Sequence, residues 1–169
     1  MSRAFVKEGS ENAGSEELPE RPQSPHPNYV TPRGLKLLHD RLDALQTERV
    51  RLQDRQDGDL LDEEELKTVE RDLRYVHERI DRAIEVDLAT QPHDQVAFGA
   101  RVTTVDDDDA EMTFTIVGED EADPDAGLIS WVSPLAQALG GAKVGDEVVW
   151  KRPVGDRDLE IVRIEYPRS

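Results

Sequence analysis

Residues 31–86 read TPRGLKLLHDRLDALQTERVRLQDRQDGDLLDEEELKTVERDLRYVHERIDRAIEV, and the spacing of their apolar positions decides the fold. Leu35, Leu38, Leu42, Leu45 and Leu52 fall at alternating steps of three and four, with Arg49 in the one missing slot. Leu66, Val69, Leu73, Val76, Ile80 and Ala83 repeat the pattern beyond a break. Residues so spaced line one stripe of a helix, about three heptads in each arm, and two such stripes bury each other as an antiparallel coiled-coil hairpin. Pairing Leu52 with Leu66, Leu45 with Leu73, Leu42 with Val76 and Leu38 with Ile80 centres the turn on position 59. Turn chemistry selects the same place, because Asp57-Gly58-Asp59 is a turn sequence.

The end of this rod is acidic. Asp54, Asp57, Asp59, Asp62, Glu63, Glu64 and Glu65 crowd around the turn of a hairpin roughly 40 Å long, at 1.5 Å per helical residue. Acids at a helix start ordinarily cap free amides and complement the dipole. The second role is chemical. Asp57, Asp59 and Asp62 are candidate tip carboxylates, and Gly58 gives the backbone freedom to point Asp57 and Asp59 forward together. Paired carboxylates repel, and a divalent cation relieves the repulsion. Alone in water the pair is expected to hold magnesium weakly, because magnesium gives up its waters reluctantly and demands near-octahedral ligation.

The whole chain has 169 residues, 35% of them charged, and a formal net charge of −17. Such a surface repels phosphate and disfavours a broad duplex-DNA-binding face, so a protein partner is expected. With no cysteine there is neither a disulfide framework nor a thiolate metal site, and a reducing cytoplasm is the expected compartment. No apolar run reaches membrane-spanning length, so no membrane partner is expected.

Four segments follow from the order of the chain. Residues 1–28, rich in Ser, Glu and Pro, are expected to be a disordered tail. Residues 29–87 are the hairpin, opened by Thr31 as N-cap and Pro32 at the first helical position. Its second arm can start at Asp59 or at Asp62, the latter with Glu65 at capping-box spacing. Arg49 either packs its stem with the head reaching out, or places a cation beside the acidic tip. Residues 88–95 form a linker. Residues 96–167 are a second domain: strands around Val96–Val105, Met112–Ile116, Leu128–Val132, Val148–Trp150 and Leu159–Tyr166, and a short helix opened by Ser133-Pro134. The expected class is α+β, with a helical hairpin followed by an antiparallel sheet carrying one short helix.

No catalytic constellation accompanies this architecture. The four histidines are scattered, and there is no nucleophile motif, phosphate loop or zinc pattern. Residues 106–109 are four aspartates without calcium-loop spacing and read as a hairpin turn.

Three longer strings carry a resemblance: FTIVGEDEADPDAGLISWVSPLAQAL at residues 114–139, KVGDEVVW at 143–150 and LEIVRIEY at 159–166. They are similar to the C-terminal domain of the bacterial GreA/GreB transcript-cleavage factors, which shows IVG before an acidic stretch, then a strand ending in Ser-Pro-x-Ala-x-Ala-Leu, then Val-Gly-Asp. Thr31-Pro-Arg-Gly-Leu and Leu73-Arg-Tyr-Val resemble the start and end of that family's coiled coil. The resemblance runs from Tyr29 to Tyr166. It implies an FKBP-like C-terminal domain and a monomeric accessory factor of RNA polymerase with no catalysis or cofactor of its own. It also implies docking at the mouth of the polymerase's secondary channel, with the coiled coil carrying acids toward the polymerase's active-site magnesium, where backtracked RNA is hydrolysed. Residue by residue it assigns docking to Ser133 and Pro134; Leu135 beside them is expected to share that surface, and Trp131 is either a further docking residue, a bulky aromatic of the kind interfaces enrich, or simply core. The metal-directed role passes to Asp57 and Asp59 by analogy, because the family's tip motif, approximately Gly-Asp-x-Ser-Glu-Asn-Ala, is absent here. The hairpin is also shorter than the family's by roughly 10 Å, about two turns per arm. In this it resembles the Rnk-like regulators, which bind polymerase without inducing cleavage. A peptidyl-prolyl isomerase is a remote alternative, since Phe98, Phe114, Trp131, Trp150 and Tyr166 are spread through separate elements.

Overall fold

The structure, a computed structural model, describes residues 17–55 and 58–167. Strand β1 (Asn28–Val30) leads into helix α1 (Pro32–Gln53), and helix α2 (Leu60–Asp81) returns to strand β2 (Ala83–Glu85). The Thr31 Oγ1 accepts from the Gly34 amide at 2.9 Å and satisfies one of the free donors at the start of α1. Leu42, Leu45 and Leu52 of α1 join Leu66, Val69, Leu73, Val76 and Ile80 of α2 in one apolar seam. Burying each of the larger side chains contributes on the order of 2 kcal/mol. Arg49 lies along this seam beside Glu70, Leu73, Arg74 and His77, away from the turn. β1 and β2 pair in parallel across the hairpin base. Three-residue strands are too short to show a period of two in the sequence.

The second unit is a five-stranded sheet: β3 (Arg101–Asp106), β4 (Glu111–Val117), β5 (Leu128–Ser130), β6 (Glu147–Trp150) and β7 (Arg157–Glu165), in the spatial order β5-β4-β3-β7-β6. Helix α3 (Pro134–Leu139) sends Leu135, Ala136 and Leu139 into a core with Val96, Ala100, Val102, Ile116, Ile129, Leu159 and Ile161. The architecture is α+β.

Two expectations, on the sheet and on its first strand, need correction. The sheet is mixed, because β5 runs parallel to β4. The ten residues between them fold back through a turn at Pro124–Ala126 and a left-handed Gly127 (φ 75°), re-entering at the same end of the sheet. The strand expected from Val96 begins at Arg101 instead. Gly99 takes φ 86° and breaks the extended run, and Leu88 fills the place where a Cβ would sit. Residues 88–95 are tied down: the Gln91 side chain donates to the Phe98 carbonyl at 2.8 Å, and the Tyr166 hydroxyl donates to the Gln95 carbonyl at 2.6 Å. Finally, residues 17–28 lie against α2 and the sheet unit. The part of the expected tail before residue 17 is outside the described residues.

Candidate functional site: arm tip, docking face and junction

At the arm's end, α2 starts just after Asp59, the earlier of the two possible starts. The Asp59 side chain makes no capping bond. Its carbonyl accepts from the Glu63 amide at 3.1 Å, and its carboxylate faces solvent. Asp62, inside the first turn, is paired with Arg55 at 2.8 Å. Its charge therefore serves the helix start and closes the turn electrostatically. Asp57 lies outside the described residues. Beside these acids, Leu60 and Leu61 are 76% and 71% exposed. Among the described residues no three His, Cys, Asp or Glu side chains converge as a metal site.

The four residues assigned to docking divide by environment. Pro134 is exposed. Ser133 is half-buried, and its hydroxyl accepts from the Ala136 amide at 3.2 Å as the cap of α3. Leu135 is only 4% exposed and belongs to the core of the sheet unit. Trp131 is half-buried between His26 and Tyr29, both edge-on to it at 5.8 and 5.2 Å between ring centres. It is thus a contact between the two units, with its Gln137-bonded carbonyl at 2.7 Å joining the strand end to α3.

The junction itself is built from residues that the apolar pattern does not reveal. Arg79 of α2 is 1% exposed. It donates from Nε to Asp120 at 2.7 Å and from Nη2 to the Asn28 side chain at 2.6 Å, while Asn28 donates back to the Arg79 carbonyl at 2.6 Å. The Tyr75 hydroxyl donates to the other oxygen of Asp120 at 3.1 Å. Burial, then the Asp120 charge, push that phenol above its ordinary value. One residue on, the buried Glu121 carboxylate accepts from the Thr31 hydroxyl and pairs with Arg33 at 3.3 Å. Thr31 therefore caps α1 and bonds to the sheet unit with the same oxygen. The backbone comes equally close: a Cβ on Gly118 would stand 2.4 Å from the Tyr29 carbonyl oxygen. The signal available in the sequence was the acidic triplet at residues 119–121, directly after a buried strand end, opposite arginines at the base of the hairpin.

These contacts define a class of protein: a helical arm held at its base, through buried polar bonds, on a small mixed-sheet domain. A family profile described as "Transcription elongation factor, GreA/GreB, C-term" matches residues 91–166. Transcription elongation factor GreB of Neisseria meningitidis serogroup B is 39% identical over 153 residues, covering 82% of this chain and 94% of that protein. Transcription elongation factor GreA of Alkalilimnicola ehrlichii is also 39% identical over 153 residues, covering 81% of this chain and 96% of its own. Among solved structures, GreA factor homolog 1 of Thermus thermophilus covers 83% of this chain and 99% of that chain at 21% identity, with a TM-score of 0.40. The chain belongs to the GreA/GreB family of transcription elongation factors.

Proposed function

We propose that the protein is an accessory factor of RNA polymerase. Its sheet domain docks beside the channel leading to the polymerase active site, its arm enters that channel, and its occupancy regulates elongation, above all in backtracked complexes. The observation that carries this reading is the junction of Arg79 with Asp120 and of Thr31 with Glu121. An arm fixed at its base presents its tip at one position relative to the docking face, whereas a free tether would spend binding energy on ordering it. The −17 charge, which repels nucleic-acid phosphate, supports a protein as the direct partner, with RNA affected through it. The protein acts as a single copy in the cytoplasm, where polymerase works. A sheet with α3 laid on it supports an FKBP-like reading of the docking domain.

The tip supports channel occupancy with little stimulation of RNA cleavage. Arg55 neutralises Asp62, and of the candidate pair Asp57 and Asp59 only Asp59 is described, its side chain making no capping bond. Each 22-residue helix is about 33 Å long. The match to the GreB relative runs over 153 positions yet takes up only 82% of 169 residues, so this chain is shorter across the matched span. A second reading, favoured by the exposed Asp59 carboxylate, has that residue aid the polymerase's own metal chemistry. Wild type and Asp59→Asn, added to a stalled backtracked elongation complex with end-labelled RNA, separate the two. Both proteins are expected to bind, with RNA cleavage raised less than about tenfold over polymerase alone. A larger rise that Asp59→Asn removes establishes the second reading. Failure of both proteins to bind the complex overturns the proposal.

A further inference from the structure

Residues 17–28 carry contacts to both units. On the hairpin side, Arg74 of α2 donates from Nε to Glu20 at 3.0 Å, and Arg21 pairs with Asp72 at 3.4 Å while its guanidinium lies 3.9 Å above the Tyr75 ring. The Gln23 amide donates to the Tyr75 carbonyl at 3.2 Å. On the sheet side, the Ser24 hydroxyl donates to Glu119 at 3.0 Å, and His26 meets Trp131 edge-on. Arg82, beyond the end of α2, donates to the Ser24 carbonyl at 3.3 Å.

We propose that residues 17–28 are an electrostatic strap that holds the arm at a set angle to the sheet domain. A segment bonded to one unit alone is decoration, but one bonded to both resists their rotation. The charges are complementary along its length: Glu20 meets Arg74, and Arg21 meets Asp72. Its prolines, Pro19, Pro22, Pro25 and Pro27, make this inexpensive in entropy. Proline fixes φ and disfavours helical geometry in the preceding residue, so the free segment is already extended and loses little freedom on laying down. The strap crosses directly over the junction of Arg79, Asp120 and Glu119, since Asn28 at its end accepts from Arg79. It thus braces the junction from outside with one exposed and one half-buried ion pair. Breaking a pair of this kind shifts an equilibrium about two- to five-fold.

A charge-swap cycle in the full chain tests the strap without any polymerase. The chain has no cysteine, so Val50→Cys on the arm and Val149→Cys on the sheet, both exposed, give two unique spin-label sites. Pulsed electron paramagnetic resonance then reads the spread of arm-to-sheet distances. Glu20→Arg with Arg21→Glu reverses the strap at unchanged net charge, and Asp72→Arg with Arg74→Glu reverses the hairpin side. Each reversal alone is expected to broaden the distribution or add a second distance. The two together are expected to restore the wild-type distribution. Circular dichroism confirms that helix content is equal in all four proteins. A spread unchanged by either reversal overturns the proposal, and so does a combination as broad as the single reversals.

Discussion

Arg79 donates to Asp120 at 2.7 Å from a position almost wholly closed to solvent, so the hairpin and the sheet domain meet through a buried charge pair as well as through the aromatic contact of Tyr29 with Trp131. A guanidinium taken out of water requires compensation: Asp120 accepts from Nε, Asn28 accepts from Nη2, and the Glu119 carboxylate lies 3.8 Å from Nη2. Directional bonds of this kind fix an angle, whereas packed apolar surfaces tolerate sliding.

Arg79→Ala is expected to destabilise the protein by on the order of 3 kcal/mol, because it strands Asp120 and the Asn28 side chain at the junction. Urea denaturation of the variant against wild type measures this. A change below about 0.5 kcal/mol, the range of ordinary surface substitutions, contradicts the role given to this pair.

Thr31 supplies a cap and a bridge, and the two can be separated. Thr31→Val removes both, at about 1–3 kcal/mol, from the lost cap and the lost hydroxyl donor to the buried Glu121 carboxylate. Thr31→Ser keeps the hydroxyl and is expected to recover most of the loss. If serine and valine behave alike in thermal denaturation, methyl packing rather than the hydroxyl matters there.

Asp106 closes the β3–β4 turn, accepting from the Asp108 and Ala110 amides at 2.9 Å each. The Ala110 amide bond first, then the Asp108 amide and Arg157, hold its carboxyl below the ordinary range despite the opposing effect of burial. A depressed carboxylate contributes stability above its unfolded value that is lost as pH falls through its folded one. Wild type is therefore expected to lose stability relative to Asp106→Asn as pH drops below about 4. Parallel stability curves for the two proteins between pH 6 and pH 3 count against it.

On the proposed docking face, Ser133→Asp retains a capping oxygen while adding charge, and Pro134→Ala removes an exposed ring. The double variant is expected to bind core polymerase at least about tenfold more weakly, at an unchanged melting temperature. Equal affinity would move the docking surface elsewhere on the domain.

The hairpin was legible because Leu45, Leu73 and their neighbours repeat at helical spacing and Asp57-Gly58-Asp59 breaks the pattern where the two halves match. The cap at Thr31 and the start of α3 at Ser133 were legible for the same local reasons. Arg79 was not, since a buried charge leaves no periodic trace and its partners lie some forty residues away or more. The direction of β5 was equally hidden: Leu128 to Ser130 reads as a strand either way, and only the loop at residues 118–127 sets its direction. Residues 17–28 read as a tail because proline and glutamate abundance signals disorder by composition, and composition carries no trace of polar contacts such as those of Glu20 with Arg74 and Ser24 with Glu119. The burial of Leu135 was legible too, since its spacing with Ala136 and Leu139 marks the face of α3 that turns inward.

The account stands or falls on association with RNA polymerase. The full chain, labelled at Val50→Cys, titrated with core polymerase and followed by fluorescence anisotropy, reads that association directly. The expected result is a saturable one-to-one curve with a Kd below about 10 μM, displaced by unlabelled protein. A titration that shows no saturable binding in that range contradicts the account.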